Sequence, residues 1–179
     1  MKVIHVTLDS DSVDKAIQEL MEYSERVEQR AAELEEKVAH LIKNYAAEGF
    51  GTAIADNVFS VKDGSPIDES KFADVKVYIQ NDGNVTTVVA QGKDAVFVEF
   101  GAGVYYNGSV GSSPNPWGTD LGYTIGSYGL GNGAKEVWGY SDEDGFHLTH
   151  GTPASMPLYM AVMAVRQDIE EIAREVFRE

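Results

Sequence analysis

Residues Asp94 to Gly103 read DAVFVEFGAG, and the reading of this decapeptide decides the fold. One carboxylate, Glu99, interrupts a run of Ala, Val and Phe, and Gly-Ala-Gly ends the run. Being apolar on both faces of a two-residue repeat, Asp94 to Phe100 predicts a central strand. Val96, Val98 and Phe100 would line one face, and Ala95, Phe97 and Glu99 the other. Glu99 then stands near the strand's end, placed to accept backbone amides of the Gly101-Ala102-Gly103 turn or to meet a cation of a neighbouring subunit.

The segment before it has β texture. Val75, Val77 and Ile79 alternate with Lys76, Tyr78 and Gln80; Asn81-Asp82-Gly83-Asn84 is a turn signal, and Val85 to Ala90 predicts the returning strand of a hairpin. Lys62-Asp63-Gly64-Ser65-Pro66 marks a loop or an earlier hairpin turn.

Further out, Val3, His5 and Thr7 alternate with Lys2, Ile4 and Val6 as a short opening strand, which stops at Asp9-Ser10-Asp11-Ser12. That cluster predicts a helix start, because these side chains accept orphan first-turn amides. Apolar residues then fall at Val13, Ile17, Leu20, Val27, Ala31, Leu34, Val38, Leu41 and Tyr45, spaced alternately by four and three, with Ser24 the one break. The stripe predicts a helix of roughly 35 residues ending near Glu48-Gly49, about 50 Å long. A stripe this long either crosses a whole sheet or reaches another subunit.

Downstream, residues 101–151 hold 13 of the 18 glycines, both tryptophans and five of the nine tyrosines. Glycine at that density disfavours helix. Tyr105, Tyr106, Trp117, Tyr123, Tyr128, Trp138 and Tyr140 are rigid amphipathic side chains suited to a partner surface, to short self-packed β-arms, or to ligand contact. A final helix is predicted from Pro157, a first-turn residue, through Leu158, Val162, Val165, Ile169, Ile172 and Val176. The expected fold is therefore α+β: an antiparallel sheet flanked by a long N-terminal amphipathic helix and a C-terminal helix. It is expected as one domain over 1–179, with 101–150 an extended loop or β-arm insertion.

Composition restricts function. The 179 residues carry a formal net charge of −15, with 14 Lys and Arg against 29 Asp and Glu. Clustered cations, which phosphate binding requires, are lacking, so direct DNA binding is disfavoured. The absence of cysteine removes disulfides, thiol nucleophiles and thiolate metal sites. The amino terminus has no apolar signal-peptide core, and no run approaches a membrane span, so a cytosolic protein is expected.

Catalytic signatures are weak. His147 and His150 are spaced i,i+3 in a Gly/Thr-rich stretch, unlike the helical i,i+4 pair of HExxH. GLGNG at 129–133 matches neither a dinucleotide fingerprint nor a P-loop, and no GxSxG occurs. Glu99, Asp120, Glu136 and Asp142 to Asp144 lie in or beside the aromatic segment, so a carbohydrate-binding or carbohydrate-cleaving module stays open. The expectation is no enzyme, no metal and no cofactor.

Two stretches together carry a resemblance. FVEFGAG, ending at Gly103, and THGTPASMPLYMAVMAV, residues 149–165, resemble the (Y/F)-V-E-(F/Y)-G-(T/A)-G strand and the later H-x-G-T-x-A-x-P-(F/L)-(L/M) helix entry of tail-completion, or head-to-tail joining, proteins of lambdoid and related siphophages. The matching positions are Val98, Glu99, Phe100, Gly101 and Gly103, then Gly151, Thr152, Pro153, Ala154, Pro157 and Leu158. The plan of short strand, long helix, sheet, E-F-G turn, variable loop and closing helix is also similar. GFGTAIADNVFSV replaces the family's Pro-x-Asp-Thr-Gly-x-Leu segment, Met156 is an extra residue, and the loop is longer.

The resemblance implies a virion structural protein of the head-tail junction, assembled from host cytoplasm. It would form a homo-oligomeric ring, generally hexameric, that caps the tail tube or its terminator and docks on the head connector or stopper. DNA would pass through the lumen without specific binding, and no membrane would be involved. Another ring-forming neck or tail-terminator protein is the near alternative.

Overall fold

The computed structural model describes residues 7, 9–55, 58–63, 65, 72–83, 85–101, 115–117 and 137–178. The expected opening strand and most of the 101–136 segment lie outside them. The described elements are mixed helix and sheet, with a long N-terminal helix, two small antiparallel sheets and a C-terminal helix. The chain divides into two compact units, one formed by 1–38 with 168–179 and the other by 39–167.

Helix α1 spans Ser10–Thr52, 43 residues, or about 65 Å at 1.5 Å per residue. It starts where the polar cluster predicts. The Asp9 carbonyl accepts the Val13 amide at 3.2 Å, and Asp9 Oδ1 accepts the Ser12 amide at 2.9 Å, the geometry of an N-cap. It ends one turn later than expected, because Gly49 and Gly51 stay helical and the Thr52 hydroxyl donates back to the Glu48 carbonyl at 3.1 Å. Gly49 has a packing reason to lack a side chain: a Cβ there would lie 2.9 Å from the Pro157 Cβ.

In the first unit, Ile172 and Val176 of the terminal helix are buried, and Lys37 Nζ meets Glu175 Oε2 at 2.6 Å. Val13, Ile17, Leu20 and Val27, which the apolar spacing marks as one face, are exposed.

In the second unit, β2 (Lys76–Asn81) and β3 (Thr86–Gln91) form the predicted hairpin, with Lys76 opposite Gln91 and Asn81 opposite Thr86. Its turn is held by Asn81 Oδ1 accepting the Gly83 amide and Asp82 Oδ1 accepting the Val85 amide. Gly83 has φ +92°, which its missing Cβ permits. A second sheet has the order β1-β5-β4, from β1 (Val58–Phe59), β4 (Trp138–Asp142) and β5 (Gly145–Thr149). Part of the glycine-aromatic segment is thus a β-hairpin, β4 with β5.

The expected central strand is a correction. Ala95–Phe100 is a short helix, α2, with the Val98 amide donating to the Asp94 carbonyl at 2.9 Å and the Gly101 amide to Phe97 at 2.7 Å. The buried residues are Ala95, Val98 and Glu99, an i, i+3, i+4 set that shares a helical face. The alternating faces expected for a strand therefore do not exist. Among the described residues there are two small sheets where one was expected. Core packing centres on Phe50, Ala53, Ala55 and the fully buried Val98, joined by Ala73, Val75, Val77, Ala90 and Leu158. The terminal helix, α3, spans Pro157–Phe177.

Candidate functional site at the motif junction

A helix leaves its first amides without intrahelical acceptors. At the start of α3 the problem is solved residue by residue. Pro157 has no amide hydrogen; the Leu158 amide donates to Glu99 Oε2 at 2.8 Å and the Tyr159 amide to Glu99 Oε1 at 3.0 Å. The Met160 amide donates to the Met156 carbonyl at 2.9 Å, the first bond of the regular ladder. Glu99, 59 residues earlier than Leu158, is thus a capping carboxylate supplied by α2, with its negative charge at the positive end of the α3 dipole.

The α2 backbone joins in. The Val98 carbonyl accepts the Ser155 amide at 2.8 Å and the Met156 amide at 3.4 Å. Met156 adopts φ +55°, a left-handed conformation uncommon outside glycine, where the chain turns into α3. Gly101 closes α2 with φ +78°, and a Cβ there would lie 3.1 Å from both the Cβ and the amide nitrogen of Ala154. Gly151, at φ +86°, donates its amide to Thr149 Oγ1 at 2.9 Å, and the Thr152 hydroxyl donates to the Ala55 carbonyl.

Asn115 completes the cluster from within the glycine-aromatic segment. It is fully buried; Nδ2 donates to Glu99 Oε1 at 2.7 Å and to the Glu99 carbonyl at 3.4 Å, while Oδ1 accepts the Trp117 amide at 3.0 Å. Trp117 stands edge-on to the Tyr159 ring, with centroids 4.8 Å apart, and keeps part of its surface exposed. Glu99 itself is 3% exposed. Burial pushes its pKa above the ordinary 4.5, and the two helix amides and the Asn115 amide pull the other way.

The two motifs therefore meet. Val98, Glu99 and Gly101 lie against a return segment containing Gly151, Thr152, Ala154, Pro157 and Leu158; Phe100 is half-buried, Pro153 in the return segment is exposed, and Gly103 lies outside the described residues. Of the aromatic candidates, Trp117 belongs to the junction and Trp138 lies on β4, while Tyr105, Tyr106, Tyr123 and Tyr128 lie outside the described residues. Among the described residues, the backbone amides that Glu99 accepts belong to α3, and the Gly101 amide goes to the Phe97 carbonyl; Ala102 and Gly103 of the expected turn lie outside the described residues. Asn115 was not anticipated; its signal is the Pro-Asn-Pro context, a turn-forming sequence in which a side chain substitutes for backbone partners.

The histidines are used locally. His147 Nε2 lies 2.9 Å from Asp142 Oδ1 across the β4–β5 hairpin, and His150 stacks on Phe59 with centroids 4.7 Å apart. Among the described residues no group of three acidic or histidine side chains converges as a metal would need, and no helix is long and apolar enough to cross a membrane. Comparison with protein-family models, with curated proteins and with solved structures finds no match in any of the three.

Proposed function

We propose that this chain is a tail-completion, or head-to-tail joining, protein: a non-enzymatic virion subunit that forms a homo-oligomeric ring at the head-tail junction. The observation that carries the reading is the convergence just described. The two stretches on which the resemblance rests, 97–103 and 149–165, have 45 residues between them in sequence, yet they meet in the fold, with the carboxylate of the first capping the helix opened by the second. A ring subunit needs such a clamp, because it fixes the closing helix against the core before any neighbour arrives.

Two further observations support it. Both Glu99 oxygens are engaged by donors inside the fold, an arrangement suited to architecture and unsuited to proton transfer with a substrate. A charge of −15 suits a channel wall that repels phosphate while DNA passes through. In this reading the ring, hexameric when assembled, caps the tail tube or terminator and docks on the connector. The host cytoplasm is where it assembles and the virion is where it resides.

Negative-stain electron microscopy of the purified protein, alone and mixed with tail tubes from a phage lacking its own completion protein, tests this. Rings, or caps on tube ends, are expected. Bare tube ends together with the absence of rings would overturn the reading, and quenching of tryptophan fluorescence by soluble sugars would then point to a carbohydrate module.

A further inference from the structure

The first half of α1 presents a largely exposed apolar stripe, with only the flanking Ala16 buried. Ile17 is 50% exposed, Leu20 57%, Met21 60% and Tyr23 60%, with Val13 and Val27 also open. The opposite face is polar: Lys15, Gln18, Glu19, Glu22, Glu25, Arg26 and Gln29. Spacing of four and three, kept in register from Val13 to Tyr45, is the 3.5-residue repeat of a supercoiled helix pair and drifts off a single flat contact on a straight helix. In heptad terms Val13, Leu20, Val27 and Leu34 are d positions, and Ile17, Ser24 and Ala31 are a positions.

The flanks of the stripe identify what covers it. The residues after each d position are Asp14, Met21, Glu28 and Glu35; those before each a position are Ala16, Tyr23, Arg30 and Lys37. One flank is acidic and the other turns basic. A second copy lying parallel and in register brings the basic flank of each helix onto the acidic flank of the other. Arg30 then meets Glu35 of the second copy, and the Tyr23 hydroxyl meets Glu28, once on each side. An antiparallel copy sets acidic flank against acidic flank and is disfavoured by like charge. Arg30 also meets Glu33 on its own helix at 2.8 Å, which its five-donor fork allows, whereas Lys37 is already held by Glu175.

From these observations we infer that α1 pairs with α1 of a second copy of this chain as a parallel, in-register coiled coil over residues 13–35. The inference goes beyond the tail-completion reading and stands on this helix alone. The exposed part covers only two to three heptads, so pairing is concentration-dependent. Ile17 at a beside Leu20 at d favours two strands, and the small polar Ser24 at an a position lowers affinity.

Analytical ultracentrifugation of the full chain over a wide concentration range is expected to show a shift from 19.5 kDa towards twice that mass. Leu20→Glu, at an exposed position, is expected to weaken the dimer by at least about tenfold with unchanged circular dichroism. The chain has no cysteine, so Ile17→Cys, well away from the middle of the segment, reports orientation: a parallel pair brings the two thiols together and gives a disulfide-linked dimer under mild oxidation, an antiparallel pair holds them far apart, and Gln18→Cys on the polar face does not cross-link. A monomer at every concentration overturns the inference and leaves the stripe to a partner of different sequence. An assembly indifferent to Leu20→Glu overturns it too. An Ile17→Cys protein that remains reduced while the dimer mass persists overturns the parallel arrangement.

Discussion

At the motif junction both carboxylate oxygens of Glu99 are committed to donors and the side chain is almost wholly buried, whereas along the first half of α1 large apolar side chains stand in water. Both regions are helical, and both use the same residue classes. The difference is in where each finds its partners. Among the described residues, no buried side-chain nitrogen or oxygen in the junction or elsewhere lacks a hydrogen bond, so the junction is complete within one chain. The α1 stripe keeps its period with one break, at Ser24, and is incomplete in its packing, which is the mark of a surface shaped for another molecule. Stability should therefore respond to the junction and association to the stripe.

The largest expected effect tests that division at its strongest point. In Glu99→Gln one acceptor becomes an NH2 group. If the remaining oxygen serves Tyr159 and Asn115, the new donor faces the Leu158 amide and leaves it unsatisfied. A loss of about 2–3 kcal/mol is expected from an orphaned buried amide, seen as a fall of roughly 5–10 °C in Tm. Ile17→Ser, on the exposed stripe, serves as the control and should stay within about 0.5 kcal/mol for the monomer. Equal losses in the two variants would break the comparison, because they would mean that the stripe is packed in the single chain.

How much of this was legible in the sequence differs between the two regions for a physical reason. The α1 stripe is long, and repetition separates period 3.5 from period 2, so the helix and its N-cap were readable; only its last turn, where glycines are tolerated beside Pro157, ran past the expected end. The β2–β3 hairpin was readable from its turn chemistry. Asp94 to Phe100 has seven residues, too few for either period to declare itself when nearly all are apolar. The available signals were Gly-Lys-Asp before the run, Gly after it, and the 95/98/99 spacing around the one charge. The two motifs were visible as sequences, but that the first caps the second depends on a contact 59 residues apart, and no local pattern encodes it. Asn115 was hidden for the same reason.

A smaller effect separates backbone conformation from contact at the same junction. Gly101→Ala must hold φ near +78° and place its Cβ 3.1 Å from Ala154, so a loss of about 1–2 kcal/mol is expected in urea unfolding. Repeating it in an Ala154→Gly background removes the steric part and leaves the cost of the left-handed backbone. Full recovery in the double variant would show that close approach alone made glycine necessary there. No change in the single variant would mean that the return segment gives way, and the junction would be looser than its hydrogen bonds indicate.

The smallest effect is in pH dependence, and it sharpens what Glu99 contributes. Burial raises its pKa above 4.5 in the folded chain, against the pull of the amides of Leu158, Tyr159 and Asn115. Between the unfolded and folded values the native state then holds more protons than the unfolded state, so stability from this group is full below about 4.5, falls as pH rises through the folded pKa, and levels off above it. Most titrating groups are shared by the wild type and Glu99→Gln, so the difference between their unfolding free energies isolates this one. Measured in urea from about pH 4 to about pH 8, that difference should narrow with rising pH. Widening would mean that three donors outweigh the loss of water around the carboxylate, and the junction would then be an anion site held by charge as well as a cap held by geometry. The α1 stripe carries no buried acid, so Leu20→Glu should leave the profile of the monomer between these pH values parallel to that of the wild type once its one added exposed carboxylate is allowed for.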